Sequence, residues 1–214
     1  MLSVERLRVE IGHATVLRHV DLTVPAGTLC GVIGRNGAGK TTLLRSIMGL
    51  LPTHSGQVRL AGEALGAVPA HRRAHLGLGY MPEDRRLVPS FSAQENILLP
   101  VWAMGLADWD ARLDWVYALM PEVRVLAGRQ AAQLSGGQGK LVALARALMI
   151  GSRLLLLDEP FEGLAPALAR RLAEVLGRVR GEGLTILLAE SNQVHVAHLL
   201  DAVHVIERGA IEPA

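Results

Sequence analysis

Residues 34–41 constrain this chain more than any other stretch. They read Gly-Arg-Asn-Gly-Ala-Gly-Lys-Thr, which fits the pattern G-x-x-x-x-G-K-[ST]. The apolar run 29–33 before them predicts a buried strand, and residues 42–48 after them predict a helix. Glycines let the backbone curl until several N–H groups point at one anion, and a helix N-terminus adds a positive dipole end. This context favours a phosphate-binding loop over a glycine-rich turn that binds nothing.

The loop supplies the first candidate ligand-binding residues. The Lys40 ammonium is long enough to reach the β- and γ-phosphate oxygens of a nucleotide, and the Thr41 hydroxyl is a ligand for Mg²⁺. We therefore predict nucleotide contacts from Gly34, Arg35, Asn36, Gly37, Ala38, Gly39, Lys40, Thr41 and Thr42.

A second candidate site follows the apolar run 154–157. A carboxylate at the end of a buried strand beside a phosphate loop is placed to hold Mg²⁺, and Asp158 fits that position. Glu159 lies one residue closer to the γ-phosphate, where it accepts a proton from the attacking water or orients that water. The alternative is a pair of strand-terminal surface acids, which the loop upstream disfavours.

A third motif, Leu-Ser-Gly-Gly-Gln, occupies residues 134–138. Ser135 and the glycines predict a second anion-binding helix N-terminus. Because one phosphate loop serves one nucleotide, a second helix end of this kind predicts contact with the nucleotide of another subunit. We expect two copies arranged head to tail with two ATP molecules between them, contacted in trans by Ser135, Gly136, Gly137 and Gln138.

The remaining pattern predicts the layout of the chain. Alternating residues near 7–11 and 20–24 predict antiparallel strands, and 58–60 and 78–81 predict two more. Helices are predicted at 70–75, 92–104 (opened by a capping box at Ser92), 108–120 and from 135 to 148. Strands at 154–157, 184–189 and 203–206 alternate with helices at 166–180 and 192–200.

Charge, cysteine content and hydropathy argue against several classes of protein. The formal net charge is +2 and no long Lys/Arg run occurs, so we expect no nucleic-acid partner. The lone Cys30 permits no internal disulfide, which suits a reducing compartment. The N-terminal residues lack the apolar core of a signal peptide, and no apolar run approaches the roughly 20 residues of a spanning helix.

The order of the three motifs resembles the nucleotide-binding domain of ATP-binding cassette (ABC) proteins over essentially the whole chain. This resemblance implies an α/β fold of the P-loop NTPase type: a mostly parallel core sheet with helices on both faces, an N-terminal antiparallel β subdomain and an inserted all-helical subdomain. We predict one domain over 1–214, in which 1–87 and 150–214 form the ATP-binding core with the β subdomain. The segment 88–149 forms the helical subdomain with the signature motif.

Finer similarity at 34–40, 80–86 and 163–166 resembles ATPases of branched-chain amino acid and urea/amide uptake systems. That similarity implies an ATP- and Mg²⁺-dependent ATPase that powers an importer, most simply for branched-chain or other amino acids. It also implies a peripheral protein on the cytoplasmic face of the bacterial inner membrane. The implied partners are a second ATPase subunit, two transmembrane permeases and, indirectly, a periplasmic solute-binding protein.

Several positions depart from the family pattern. Ile11 stands where an aromatic residue stacks on adenine, and His13 is a possible substitute. Glu83 replaces the glutamine of the Q-loop but still offers a ligand for Mg²⁺ or water. Ala165 replaces an acid, and Ser191 replaces the switch histidine at the γ-phosphate. We accordingly predict Glu159, Glu83 and Ser191 as catalytic, and Thr41, Asp158 and Glu83 as metal ligands.

These departures leave alternatives open. One is a non-transport ABC ATPase, although a single cassette without heptads argues against ribosome- and chromosome-handling members. Another is the weakly hydrolysing, regulatory half of a heterodimer, which Glu83 and Ser191 support. Export rather than import also stays open, because a cassette does not encode direction.

The aromatic residues and the histidine pairs each have two interpretations, one structural and one functional. The tryptophans Trp102, Trp109 and Trp115 either fill a small helical core or form a docking groove for a permease, with Phe91 and Trp102 as the candidate contacts. The pairs His71/His75 and His195/His198 have helical spacing, but solvated helix faces are favoured over metal sites.

Overall fold

The computed structural model describes residues 1–211. Its ten strands are, in chain order, β1 (Leu2–Ile11), β2 (Ala14–Val24), β3 (Leu29–Ile33), β4 (Ser55–Leu60), β5 (Glu63–Ala64), β6 (Leu78–Met81), β7 (Leu154–Asp158), β8 (Thr185–Glu190), β9 (Ala202–Glu207) and β10 (Ala210–Ile211). Its α-helices are α1 (Lys40–Ile47), α2 (Ala70–His75), α3 (Ala93–Ala103), α4 (Asp110–Leu119), α5 (Pro121–Val125), α6 (Gly136–Ile150) and α7 (Pro166–Gly181).

Two sheets organise these elements. A six-stranded sheet has the order β10-β9-β3-β8-β7-β6, and the pairs from β9 to β6 are parallel while β10 is antiparallel to β9. A four-stranded antiparallel sheet has the order β2-β1-β4-β5. The predicted fold class is therefore confirmed.

The central strands β3, β7 and β8 are mostly apolar and buried because both faces of the parallel sheet are covered there. Along β7, Leu155 and Leu157 belong to the core beneath α6 and α7, whereas Leu154 and Leu156 belong to the core around α1 and the antiparallel sheet. This alternation follows from the two-residue period of a strand. The continuous run Leu154–Asp158 is completely buried as a result.

Most predicted elements are confirmed, and α2 and β6 have the predicted bounds. Ser92 opens α3 through a capping box in which its hydroxyl accepts the Glu95 N–H. The helix predicted at 108–120 is shorter and begins at Asp110. Pro121 ends α4 as expected, but it also occupies the first turn of α5, a position that tolerates proline.

The helix predicted at 192–200 is wrong. The segment contains turns and a single 3₁₀ turn at Ala197–Leu199. The Asn192 side chain accepts the Val194 N–H at 2.9 Å, and such local bonds compete with helix formation. The segment also contains two β-branched valines, which lower helix propensity. His195 and His198 consequently do not share a helix face.

The tryptophans of the helical segment differ in whether they pack in the core or face solvent. Trp109 and Trp115 pack half-buried against the core, as the core reading predicts. Trp102 differs, since 48% of its surface is exposed. Phe91 is half-buried in the loop before α3. Within residues 1–211, no helix combines the length and apolar character needed to cross a bilayer.

Candidate active site

The loop between β3 and α1 curls tightly because of its glycines. Gly37 and Gly39 have φ values of +80° and +112°, which L side chains rarely adopt. Gly34 is required for a steric reason, because a Cβ there would overlap the carbonyl oxygen of Ile206 on β9. The Gly34 N–H is bonded to the Glu190 carbonyl at 3.1 Å, which fixes the loop to the end of β8.

Lys40 begins α1 and points back into this loop. Its ammonium donates to the carbonyl oxygens of Gly34 at 2.7 Å and Arg35 at 3.3 Å. It also forms an ion pair with Glu159, with Nζ 3.0 Å from Oε1, and both side chains are buried. A buried ammonium held among loop carbonyls is placed to exchange some of these bonds for phosphate oxygens.

Asp158 ends β7 fully buried beside α1. The Thr41 hydroxyl donates to its Oδ1 at 3.0 Å, and the Tyr80 hydroxyl donates to its Oδ2 at 3.2 Å. Burial raises the pKa of Asp158 to about 6; the two hydrogen bonds oppose this rise, and Glu83 and Glu159 add to it. The neighbouring negative charge makes this carboxylate a natural partner for a cation.

Glu159 lies in a different environment from its neighbour. Besides the ion pair with Lys40, its Oε2 accepts the Ser191 hydroxyl at 3.3 Å. The structure therefore brings the predicted base and the residue at the switch-histidine position into contact.

A pocket of about 300 Å³ contains loop residues, Lys40 and Glu159, whereas Asp158 lines an adjoining cavity. The lining of the pocket comprises Val16, Asn36, Gly37, Gly39, Lys40, Thr41, Thr42, Glu83 and Glu159. Carboxylate oxygens of Glu83, Glu159 and Glu162 lie within 4.8 Å of one another. Together with Asp158 and Thr41, they give an all-oxygen donor set with excess negative charge, which fits a hard divalent cation such as Mg²⁺.

Other predicted site residues lie outside this pocket lining. Ile11, at the end of β1, is 49% exposed, and Val16 of β2 lines the pocket instead. His13 and Arg35 are exposed. Ser135 and Gln138 form a capping box at the start of α6, with N–H to side-chain distances of 3.2 and 3.0 Å. The glycines between them are exposed or half-buried, and none of the four lines the pocket of its own chain.

A second cavity of about 840 Å³ adjoins the first and shares Thr41 and Glu83 with it. It lies between α1, α2 and β6 on one side and α3 and α6 on the other. Apolar side chains dominate its wall, including Met48, Leu50, Leu99, Pro100, Ala103 and Ile150. Phe91 and Trp102 are not among the lining residues, so the predicted docking contacts lie beside this cleft and not in it.

Comparison with known proteins agrees with this geometry. A sequence model described as "ABC transporter" matches residues 17–162, which span the phosphate loop, the 134–138 motif and Asp158–Glu159. The chain belongs to the ABC transporter family. It is an ATP-binding cassette, and its enzymatic activity is that of an ATPase.

Individual relatives of this ABC ATPase cover nearly its whole length. It is 34% identical to the high-affinity branched-chain amino acid transport ATP-binding protein BraG of Pseudomonas aeruginosa, over 99% of this chain and 91% of BraG. It is 29% identical to the lipopolysaccharide export system ATP-binding protein LptB of Escherichia coli, over 91% of this chain and 81% of LptB. An ATP-binding cassette solved in its ADP conformation superposes with a TM-score of 0.85 at 26% identity, over 99% of this chain and 89% of that one.

Sequence reasoning missed three site residues of this ABC ATPase. Tyr80 contacts Asp158 through its hydroxyl, and Lys140 donates to the Glu159 carbonyl at 2.7 Å. The Glu190 carboxylate accepts the Phe161 N–H at 2.8 Å. The signal for the last two was a charged side chain next to an apolar run, since Lys140 precedes 141–145 and Glu190 follows 184–189.

Proposed function

We propose that this chain is the ATP-hydrolysing subunit that powers an ABC importer for branched-chain or other amino acids. The observation that carries the catalytic part is the position of the Glu159 carboxylate, 3.0 Å from the Lys40 ammonium at the phosphate loop. The likeness to BraG supports the substrate class.

In this proposal the phosphate loop binds the nucleotide, and Glu159, just after β7, takes part in its hydrolysis. Backbone N–H groups of 34–41 and the Lys40 ammonium hold the β- and γ-phosphates, which costs the loop little reorganisation because its glycines already set the curl. Glu159 accepts a proton from the water that attacks the γ-phosphate. The Ser191 hydroxyl, 3.3 Å from Glu159 Oε2, orients that carboxylate.

Mg²⁺ would be held by Thr41 and Asp158, with Glu83 in reach directly or through water, and it would neutralise charge on the phosphate oxygens. Tyr80 positions Asp158 through its hydroxyl. Asp158 is thus assigned to cation binding and Glu159 to proton transfer.

We further propose that the start of α6 serves the nucleotide of a second copy or a partner ATPase. Ser135–Gln138 sits outside the pocket of its own chain, yet its helix N-terminus remains a site for anions. Two subunits arranged head to tail would complete each other's sites.

We propose that the cleft of about 840 Å³ is the docking site for a permease helix. Its apolar wall suits a helix with an apolar face, and Glu83 lies on the wall of both cavities. Arg146 of α6 donates to the carbonyls of Arg85 and Arg86, which joins the segment after Glu83 to residues 88–149. We propose that these residues act as a helical subdomain, which a change at the γ-phosphate would move against the permease.

Glu159→Gln tests the catalytic assignment. The amide keeps the shape of the side chain but cannot accept the proton, so turnover falls by roughly 10²–10⁴-fold while Mg-ATP affinity stays. Turnover is measured by phosphate release and affinity by calorimetry. Turnover within a fewfold of wild type would remove Glu159 from the role of base.

The substrate is tested in membrane vesicles that contain this chain and the membrane proteins that co-purify with it. ATP-dependent uptake of labelled leucine, abolished by Glu159→Gln, is the result we expect. The likeness to LptB favours one second candidate, an export system. ATP-dependent movement of a lipid out of the membrane, without leucine uptake, would support that candidate and reject import.

A further inference from the structure

The two lysines of this chain converge on one residue. Of 22 Lys and Arg residues, only Lys40 and Lys140 are lysines. Lys40 pairs with the Glu159 side chain at 3.0 Å, and Lys140 donates to the Glu159 backbone carbonyl at 2.7 Å. Both lysines are buried, with 4% and 8% of their surfaces exposed. Lys40 has a role in phosphate binding, whereas the proposed mechanism leaves Lys140 without one.

The backbone that Lys140 holds adopts an unusual conformation. Glu159 has a φ of +46°, in the left-handed region that side chains other than glycine seldom occupy. Three bonds fix the turn: the Glu159 N–H donates to Ala189 at 2.9 Å, Lys140 donates to the Glu159 carbonyl, and the Phe161 N–H donates to the Glu190 carboxylate. A conformation of this kind persists only where its surroundings determine it.

We propose that Lys140 is a positioning residue for ATP hydrolysis, which holds the Glu159 carbonyl from α6 and so aims the Glu159 carboxylate at the γ-phosphate. This inference rests on the proposed role of Glu159 as the base. Because Lys140 lies on the first turns of α6, whose N-terminus is Ser135–Gln138, it connects the signature helix to the catalytic carboxylate of the same chain.

The chemistry of the side chain suits this task. The Lys140 ammonium is a compact donor at the end of a flexible stem, and it reaches the single Glu159 carbonyl at 2.7 Å. Burial lowers the pKa of Lys140, while Glu162, Glu190 and Glu159 act to raise it. A purely structural account would have Lys140 only neutralise these carboxylates, and that account predicts a loss of stability without a loss of turnover.

Lys140→Met separates the two accounts, because methionine keeps an unbranched side chain and removes the donor. We expect kcat to fall about 100-fold, as for a misplaced catalytic group, with Mg-ATP affinity within twofold of wild type. Arg112→Met is the matched control. Arg112 donates to the carbonyls of Leu148 and Gly151 at the other end of α6, so its loss should leave kcat unchanged.

The double variant Lys140→Met/Glu159→Gln provides the decisive comparison. If Lys140 acts through Glu159, the double variant turns over no more slowly than Glu159→Gln alone. A kcat within twofold of wild type in Lys140→Met, or independent losses in the double variant, would overturn the inference. Normal turnover in Glu159→Gln would instead reject the proposed base, a distinct outcome.

A second measurement does not depend on turnover. Labelling lysine with ¹³C at Cε gives two lysine resonances, which Lys140→Met assigns. Mg-ATP should shift both, Lys40 through the phosphates and Lys140 through Glu159. If Mg-ATP shifts the Lys40 resonance but leaves the Lys140 resonance unchanged, the proposed coupling of Lys140 to the nucleotide through Glu159 is contradicted.

Discussion

At the scale of single residues, the proposed roles of Asp158 and Glu159 differ because their surroundings differ. Asp158 is bonded to the hydroxyls of Thr41 and Tyr80, a set suited to hold a cation. Glu159 is bonded to Lys40 and Ser191 at the edge of the phosphate pocket, a set suited to orient a proton acceptor. Adjacent residues of like charge therefore have different partners, and the left-handed backbone at Glu159 turns the chain at this point.

Lys40→Ala tests the binding half of this division. Loss of the ammonium should weaken Mg-ATP binding by on the order of 2–3 kcal/mol, as for hydrogen bonds to charged groups. Calorimetric titration measures it. Arg208→Ala is the control, since that guanidinium is exposed and outside the pocket, and it should bind Mg-ATP normally. Equal affinity in Lys40→Ala and wild type would reject the loop assignment.

Glu190 makes the stability of the protein depend on pH. Burial raises the pKa of Glu190 to about 7; Glu159 adds to the rise, and the Phe161 N–H and Lys140 oppose it. The folded state thus binds this proton more tightly than the unfolded state, so the contribution of Glu190 to stability falls as pH rises from about 4.5 to about 7.

Glu190→Gln removes that titration. Relative to wild type, the variant should gain stability as pH rises from 5 to 8, by about 2–3 kcal/mol at most. Denaturant unfolding at each pH measures the difference between the two proteins. A difference that is constant from pH 5 to 8, or that shrinks over this range, would contradict the raised pKa.

At the scale of elements, the secondary structure was predictable from the sequence wherever neighbouring residues specify it. The phosphate loop, the capping box at Ser92, the helix start at Ser135 and the apolar run of β7 are each specified by neighbouring residues. The segment 192–200 was mispredicted because its Asx-type bond at Asn192 competes with the helix. The contacts of Lys140 and Glu190 with 159–161 depend on tertiary packing, which no spacing in the sequence reports.

The cleft between α3 and the core gives a prediction at this scale. Ala103 lines the cleft and is exposed, so Ala103→Arg should block a docked helix without opening the core. We expect normal melting and Mg-ATP binding, with loss of permease co-purification. Ala111→Arg, at an exposed site on α4 that does not line the cleft, is the matched control and should assemble.

Two further outcomes sharpen this experiment. Trp102→Ala should melt normally, because nearly half of that side chain is exposed, and loss of assembly in it would extend the docking surface beyond the cleft. Full assembly of Ala103→Arg with the permease would reject the cleft as the docking site.

At the scale of the whole molecule, we propose that each chain carries half of two sites. Residues of the phosphate loop and Glu159 line one pocket, and Asp158 is bonded to Thr41 beside it, while Ser135–Gln138 does not line that pocket. The single phosphate loop and the second anion-binding helix N-terminus at 135–138 predicted this division from the sequence. Which subunit completes the second site depends on a surface between chains, and one chain's sequence specifies only its own side of that surface.

The most direct test of the account is the mass of Glu159→Gln in solution with and without Mg-ATP, by analytical ultracentrifugation. Because this variant binds ATP without hydrolysing it, we predict a change from a 22.9 kDa monomer to a dimer of twice that mass when Mg-ATP is added. ADP should leave it monomeric. A variant that binds Mg-ATP but stays monomeric at every concentration would contradict the proposal that two chains enclose the nucleotides between them.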